Sequence, residues 1–317
     1  MTYSKFPLLK KRKSESITLE KFKKNIDIEK IFKHHRPVSG LRSILNSYKS
    51  SLENQDLIEL IKKIEFARKG GNPILFSLNA DIIEYGLSPI IIDLMQRGWI
   101  SAISVNEDFL IKDFELSLSG KFIDYKNSFI FNKGIGGLAE ETGLFLNIAF
   151  KEGIKKEKGA GEAVGEYLSS SKFEYNKFSI LANSYRLNIP VTLHSVPGSS
   201  KLHYHTNFEG MTYGTLLDRD FILYASIINK LTDKGIVVVM DINRSGLDIL
   251  VNSLGFSCES GTQFKEISLG IIGDIEDISV QRDIEKMVTS GKLTAHRIKG
   301  NSDMIFPLIA SILLEDN

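Results

Sequence analysis

The stretch Pro73–Val105, PILFSLNADIIEYGLSPIIIDLMQRGWISAISV, decides the fold of this chain. It contains a short apolar run at Pro73–Leu78, a helical pattern from Ile82 to Arg97 that ends at Gly98, and a second apolar run at Ile100–Val105. Short runs that are apolar on both faces are typical of buried parallel strands. A helix between two such strands predicts a right-handed crossover unit.

The same alternation of helices and strands continues toward the C-terminus. Further helices are predicted at Asp108–Ser119, Leu138–Glu152, Ala160–Leu168, Phe178–Arg186, Arg219–Thr232 and Met304–Leu314. Further strands are predicted at Ile189–His194, Gly235–Met240, Ile267–Gly273 and Leu293–Ile298, whereas Lys121–Lys133 and Leu247–Leu254 give weaker patterns. We therefore predict an α/β fold, a doubly wound and mostly parallel Rossmann-like sheet with helices on both faces.

The N-terminal part of the chain has a different pattern. Apolar residues recur at helical spacing from Ser16 to Leu60, and the break at Lys69–Pro73 ends this arm. We expect a helical extension over residues 1–70 and one Rossmann-type domain over residues 71–317. The extension carries a basic cluster at Lys10–Lys13, which fits a solvated helix better than a nucleic-acid site.

Composition excludes several classes of function. The formal net charge is +1, so the chain as a whole is not a polyanion binder, and we expect no nucleic-acid partner. The single cysteine, Cys258, allows no intrachain disulfide. No apolar run reaches the ~18 residues of a membrane span, and no secretory signal pattern is present, so we expect a cytoplasmic protein.

Polar residues follow the first two predicted strands, where a parallel sheet binds its ligands. Asn79 follows the first strand, and the acidic stretch Asn106–Glu115 follows the second. Carboxylates at such a helix start can hold ribose hydroxyls, bind an amine or act as a base. The alternative interpretation is helix capping with surface ion pairs. Asp241, after the strand Gly235–Met240, is open to the same two interpretations.

Three of the six histidines, His194, His203 and His205, lie within twelve residues after the strand Ile189–His194. Imidazoles clustered at a strand end can transfer protons, contact phosphate or bind zinc or iron. A second loop, Gly134–Gly143, joins glycines to paired carboxylates at a helix start and could form an anion cradle or an amine site. An ordinary flexible loop is the alternative there.

Several of these pieces, taken in order and with their spacing, resemble the deoxyhypusine synthase superfamily, nearest to its bacterial and archaeal deoxyhypusine-synthase-like group. The resemblance runs from about Gly71 to about Leu314. The matching motifs are Gly86–Pro89, Asp93–Met95 with Arg97-Gly98, Asp113–Glu115 with Leu118 and Gly120, Ala139–Gly143, and Pro190–Thr192 with His194, Gly198, His203 and His205.

The resemblance implies a Rossmann-like fold that binds NAD at the strand ends and forms a homo-oligomer. It also implies a small cationic or amino-acid-like substrate, because deoxyhypusine synthase transfers the aminobutyl group of spermidine through an imine on a lysine. The catalytic residues predicted on this basis, together with the local patterns, are Lys112, Glu115, His194, His203 and His205. The predicted cofactor-binding residues are Asn79, Asn106, Glu107, Asp113 and Asp241.

This sequence departs from the family at identifiable places. The tryptophan-glycine-lysine motif that carries the imine lysine is absent, so true deoxyhypusine synthesis is not expected. Asn79 and Asn106–Asp108 stand where relatives have glycine-containing turns. Three hypotheses follow: an NAD-dependent enzyme acting on an amine or amino-acid-like substrate, a diverged non-catalytic relative that binds a small molecule or a partner, and a metal hydrolase built on the three histidines.

Overall fold

One parallel sheet organises the molecule. The computed structural model describes residues 55–123, 138–231, 234–261 and 267–315, together with Thr18 and the backbone of residues 24–27. The strands are β1 (Lys24–Asp27), β2 (Ile74–Leu78), β3 (Ala102–Asn106), β4 (Lys121–Ile123), β5 (Val191–His194), β6 (Ile236–Met240), β7 (Ile267–Ile272) and β8 (Leu293–Ile298). Six of them form the sheet in the order β5-β3-β2-β6-β7-β8, with every neighbouring pair parallel.

Counted along the chain, these six strands have the 3-2-1-4-5-6 order of doubly wound dinucleotide-binding folds. The order reverses between β2 and β6, which pair directly through Leu75 and Val237. In open α/β sheets, ligands bind beyond the carboxyl ends of the strands at this reversal. The predicted fold class is thus confirmed, and the place to look for a site is defined.

Helices cover both faces of the sheet because side chains alternate along each strand. The helices are α1 (Gln55–Lys69), α2 (Asp81–Glu84), α3 (Ser88–Gln96), α4 (Glu107–Ser119), α5 (Glu140–Lys155), α6 (Ala160–Ser170), α7 (Ile180–Arg186), α8 (Gly210–Leu231), α9 (Arg244–Glu259), α10 (Ile278–Thr289) and α11 (Ser302–Leu314). In β6, Ile236, Val238 and Met240 pack in the larger core with α1, α4 and α11. Val237 and Val239 pack in a smaller core with α8, α9 and α10.

The local predictions differ from the structure at several places, and three of these concern whole elements. Residues Lys24–Asp27 form an extended strand that pairs antiparallel with Lys121–Ile123, so the helix expected from Ser16 to Leu60 does not include them. Tertiary pairing overrides local periodicity in this short segment. Apart from Thr18, the remainder of that prediction up to residue 54 lies outside the described part of the chain.

The helix predicted from Ile82 to Arg97 is two helices, α2 and α3. Gly86 adopts a left-handed φ of 71° between them, and Pro89 lies in the first turn of α3. The third difference is α10, which was not predicted, although Val280 and Ile284 lie one turn apart on its buried face. Within the described residues, no helix has the length and apolar character that crossing a membrane requires.

Candidate functional site

A cleft of about 520 Å³ opens at the carboxyl ends of β2, β3, β5 and β6. It lies at the reversal of strand order, where the fold predicts a ligand site. We call it the first cleft. The sequence-predicted residues that line it are Asn79, Asn106, Glu107, His194 and Asp241. Four sequence segments that are distant in the chain therefore meet here.

A second cleft, of about 820 Å³, adjoins the first and extends toward the ends of β7 and β8. The two clefts share Asn79 and the turn Asp241–Asn243, so these residues lie at their junction. Carboxylates dominate the second cleft, which is also lined by Arg244 and Tyr85. Its acidic lining residues are Asp81, Asp241, Asp274, Glu276, Asp277 and Asp303.

The two asparagines at the strand ends organise the turns that follow them. Asn79 accepts the backbone N–H of Asp81 at 3.1 Å and donates its amide to the Asp81 carboxylate at 2.9 Å. Asn106 is the N-cap of α4 and accepts the N–H of Phe109 at 2.8 Å. Both side chains already have protein partners, as the capping interpretation expects.

Glu107 holds the loop that follows β5. Its carboxylate accepts hydrogen bonds from Ser195 Oγ at 3.0 Å, the Lys201 backbone N–H at 2.9 Å and the Tyr213 hydroxyl at 2.5 Å. The side chain of Lys201 also pairs with the neighbouring Asp108. These bonds fix residues 195–204, which we call the strap, along one wall of the first cleft.

His194 is the last residue of β5 and lines the first cleft. Its ring lies edge-on to Tyr224, with 4.7 Å between the ring centroids, and its Nε2 is 3.0 Å from Thr192 Oγ1. Burial lowers the pKa of His194 to about 4, so the imidazole is uncharged at neutral pH. It therefore offers hydrogen bonding to a ligand but adds no positive charge to the cleft.

Asp241 follows β6 at the junction of the two clefts. Its backbone has a left-handed φ of 49°, which is uncommon for residues other than glycine and is adopted most often by asparagine, aspartate and histidine among these. Ser302 Oγ donates to its Oδ2 at 2.5 Å. Burial raises the pKa of Asp241, and the nearby carboxylates Asp81, Asp274 and Asp303 raise it further against the hydrogen bond from Ser302. The carboxylate thus sits in a negative environment.

Lys112, Asp113 and Glu115 lie on α4 but do not line either cleft. Lys112 is buried and pairs with Glu84. Asp113 is fully buried and accepts Ser179 Oγ and the N–H groups of Ile180 and Leu181, which caps α7. Helix α4 turns these side chains into the core, away from the strand ends, and their predicted roles in catalysis or cofactor binding stay predictions.

Glu115 connects three elements in the interior. It accepts the N–H of Ile123 in β4 and the hydroxyl of Thr142 in α5, both at 2.9 Å. His205 lies near the same helix start, with its ring against Gly143. Its Nδ1 accepts the N–H of Asn207 at 3.2 Å, and burial lowers its pKa against the opposing effect of Glu140. Like Glu115, His205 does not line the clefts.

The three histidines do not converge. His203 lies within hydrogen-bond distance of the Pro197 carbonyl oxygen inside the strap, and its ring packs on Phe208. His194 and His205 have the separate surroundings given above. Among the described residues, no group of three or more His, Cys, Asp or Glu side chains could hold a metal ion. The hypothesis of a histidine-based metal hydrolase is therefore wrong for this part of the chain.

Sequence reasoning did not identify Tyr224, Ser104 or Asp248 as lining residues of the first cleft. Tyr224 is buried on α8, and burial raises the pKa of its hydroxyl, which is hydrogen-bonded to Ser104. Ser104 belongs to the apolar strand β3, and Asp248 to the unclear segment around Leu247–Leu254. The approach of α8 and α9 to the strand ends creates these positions, and no local motif marks them.

Comparison with known proteins supports the fold. No protein-family model and no curated protein matches the sequence. Among solved structures, unliganded AgrE is similar over 84% of this chain and 34% of its own, at 12% identity and a TM-score of 0.51. AgrE has also been solved as a ternary complex with ornithine and NAD+. This chain therefore spans about a third of the length of AgrE.

Two further structures resemble this chain at lower TM-scores. A conserved protein from Methanococcus maripaludis, provisionally assigned to the LOR/SDH group, covers 92% of this chain and 73% of its own at 14% identity and a TM-score of 0.47. A protein from Entamoeba histolytica, provisionally named a deoxyhypusine synthase, covers 91% and 95% at 12% identity and 0.48. At such identities the similarity concerns the fold alone.

Proposed function

We propose that this protein is an enzyme that binds a small cationic amine or amino-acid-like substrate in the first cleft. The observation that carries the proposal is the charge of the lining. Every charged side chain among the described lining residues of the first cleft is a carboxylate: Glu107, Asp108, Asp241 and Asp248. A cleft with charges of one sign and apolar walls attracts ligands of the opposite sign.

The four carboxylates are not equivalent. Glu107 accepts hydrogen bonds from two residues of the strap and from Tyr213 of α8. Asp108 pairs with Lys201, and Asp248 lies 3.4 Å from Arg244. Within the described residues, Asp241 has no lysine or arginine partner, and its one side-chain hydrogen bond is to neutral Ser302. We assign Asp241 as the counter-ion for the ammonium group of the ligand.

Neutral groups complete the site. His194 and Tyr224 stand side by side in the lining, and the low pKa of His194 keeps its imidazole uncharged at neutral pH. A neutral imidazole does not repel a cation, and it can accept or donate one hydrogen bond. In this proposal His194 orients the substrate and accepts a proton only from a group more acidic than an ordinary ammonium.

The family resemblance implies NAD(H) as a cofactor, but the residues that line these clefts suit only part of that molecule. Carboxylates and amides at strand ends suit ribose hydroxyls. The pyrophosphate needs free backbone N–H groups or cations, but the N–H of Asp81 is bonded to the Asn79 side chain and that of Ile82 to the Asn79 carbonyl. Arg244, the basic residue of the second cleft, pairs with Asp248 and Asp283. The residues present do not fit the pyrophosphate, so we derive no step through NAD(H).

The test of the proposal is thermal stabilisation by matched ligands. A ligand that binds only the folded state raises the melting temperature. We expect L-ornithine, which AgrE binds in its ternary complex, to stabilise the protein more than L-citrulline, which keeps the α-ammonium but has an uncharged ureido group in place of the side-chain ammonium. The expected difference is at least about tenfold in affinity, or about 1.4 kcal/mol. Putrescine tests whether the amino-acid carboxylate matters.

Asp241→Asn is the decisive variant, because asparagine keeps the shape of the side chain and removes its charge. We expect it to lose the preference for L-ornithine over L-citrulline. Equal stabilisation of the wild type by both compounds, or no stabilisation by either or by putrescine, would contradict the proposal. Mass spectrometry of the bound amine after incubation, with and without NAD+, separates an enzyme from the non-catalytic binding protein of the second hypothesis.

A further inference from the structure

We infer that the first cleft excludes ligands that carry phosphate, and that Asp241 is the residue that determines this selectivity. The inference rests on the proposed function in so far as the first cleft is the ligand site. The inference goes beyond that function, because a cleft that binds amines does not necessarily exclude nucleotides. A strand order typical of dinucleotide binding makes such a rejection unexpected from the fold alone.

The Asp241 carboxylate is fixed in place from several sides. Its backbone N–H donates to the Ile272 carbonyl at 2.9 Å, and its Oδ2 accepts Ser302 Oγ at 2.5 Å. Its Oδ1 packs so closely on Gly273 that a β-carbon on that glycine would lie 2.0 Å away. The hydrogen bond from Ser302 and the contact with Gly273 therefore hold the carboxylate at the junction of the two clefts.

The position of this fixed charge is the one that a nucleotide phosphate would approach. Asp241 and Asn79 follow the adjacent strands β6 and β2, between which the strand order reverses, and both residues line both clefts. In folds of this strand order the pyrophosphate lies at the first turn after the first strand, here Asn79–Asp81. An anion at this turn would face Asp241, and Arg244, the one lysine or arginine among the described lining residues of the two clefts, already pairs with Asp248 and Asp283.

The turn itself provides no compensation. It contains no glycine, and the helix that follows it, α2, has only four residues. The N–H groups of Asp81, Ile82 and Ile83 are bonded to Asn79 Oδ1, the Asn79 carbonyl and the Ala80 carbonyl respectively. A phosphate would have to break these bonds before it could bind these three N–H groups. Repulsion by Asp241 and the engagement of these donors therefore act in the same direction.

Asparagine is well suited to test the charge of Asp241 without disturbing the fold. It tolerates the left-handed backbone at least as well as aspartate, and its carbonyl oxygen can still accept Ser302 Oγ. Two variants serve as matched controls. Asp248→Asn removes a charge of the same cleft that Arg244 already balances. Ser302→Ala frees the Asp241 carboxylate from its hydrogen bond but keeps its charge.

The experiment is calorimetric titration of the wild type and the three variants with NAD+ and with L-ornithine, after a melting curve confirms that each one folds. We expect Asp241→Asn to bind NAD+ at least about tenfold more tightly than the wild type. We expect both control variants to stay within about threefold of the wild type toward NAD+.

An Asp241→Asn variant that gains no affinity for NAD+ would overturn the inference, as would a gain of the same size in Asp248→Asn or Ser302→Ala. The two proposals fail separately. If the wild type does not bind L-ornithine but Asp241→Asn gains affinity for NAD+, the result contradicts the amine proposal and supports the exclusion of phosphate by Asp241. If the wild type binds L-ornithine and Asp241→Asn gains no affinity for NAD+, the result supports the amine proposal and contradicts the exclusion of phosphate by Asp241.

Discussion

Asp220 on α8 accepts the backbone N–H of Leu193 at 2.8 Å through the same carboxylate oxygen that accepts the N–H of Gly161 at 3.0 Å. Leu193 directly precedes His194 in β5, an edge strand of the sheet. The carboxyl group is buried, and its other oxygen has no hydrogen-bond partner among the described residues. One buried acid thus fixes the strand that delivers a histidine to the first cleft.

The buried acid predicts a specific dependence of stability on pH. Burial raises the pKa of Asp220 to about 7, against an unfolded value near 3.9. Between these two values the folded protein holds a proton that the unfolded chain has lost, so stability falls as pH rises from about 4 to about 7. Asp220→Asn cannot titrate, and we expect its unfolding free energy to fall less over this range, by on the order of 2 kcal/mol.

Urea denaturation of the wild type and of Asp220→Asn at pH 5 and pH 8 measures this difference. Asp113, whose pKa burial raises to about 6, titrates in both proteins and cancels in the comparison. Parallel pH dependences in the two proteins would show that Asp220 keeps an ordinary pKa.

The bonds of Glu107 predict that the strap loosens when this carboxylate is changed. Glu107→Gln removes the charge and replaces one acceptor oxygen by a donor, so the bonds from Ser195, Lys201 and Tyr213 are weakened, reversed or lost. We expect amide hydrogen exchange at residues 196–204 to accelerate at least about tenfold, the equivalent of about 1.4 kcal/mol, without change in β6 or β7. Asp108→Asn, which removes only the ion pair to Lys201, should produce a smaller effect. Uniform acceleration across the sheet would contradict a local role.

We predict that glycine is needed at position 143 because the His205 ring leaves no room for a β-carbon there. The helix itself does not need a glycine at this position. A β-carbon at Gly143 would lie 2.2 Å from His205 Cδ2, whereas alanine in a helix is intrinsically better than glycine. We expect Gly143→Ala to destabilise the protein by about 1–3 kcal/mol, measured by urea denaturation. In a His205→Ala background the same change should be neutral or stabilising. Additive effects in the double variant would mean that the two residues do not compete for space.

Asp113 is predicted to act on stability and not on ligand binding. Asp113→Asn replaces one of the two oxygens that accept Ser179 Oγ and the first N–H groups of α7. We expect a loss of about 1–3 kcal/mol in the free energy of unfolding, because a buried donor is left unpaired. Affinity for L-ornithine should match that of the wild type when both are measured well below their melting temperatures. A selective loss of affinity with unchanged stability would restore the role in ligand binding that the family resemblance suggests.

The sheet could be predicted from the sequence to the extent that each strand carries its own signal. Residues 236–240, IVVVM, form a continuous run of apolar and mostly β-branched side chains, which predicts a central strand, and all five are buried. The pairing of Lys24–Asp27 with β4 could not be predicted, because it brings together residues about a hundred positions apart and the local periodicity there is helical. Helix α10 was overlooked although Asp277 caps it and accepts the N–H of Ser279 at 2.7 Å.

The candidate site divides in the same way. That His194 and Asp241 face a cleft follows from their positions at strand ends, which the sequence shows. The hydrogen bonds of Glu107 could not be predicted in this way, because a partner such as Tyr213 is 106 residues away in the sequence. The family resemblance implies a cofactor-binding role for Asp113 and a catalytic role for Glu115, but a helix distributes its side chains over all its sides, and both of these are buried in the core.

The left-handed backbone of Asp241 has a consequence for laboratory evolution of this protein. Asparagine suits that φ and would remove the repulsion from Asp81, Asp274 and Asp303, so a library screened only for heat resistance should enrich asparagine at position 241. Each enriched clone would gain robustness and lose the charge that we assign to recognition. A stability screen that never includes a ligand would thus point to the ligand site.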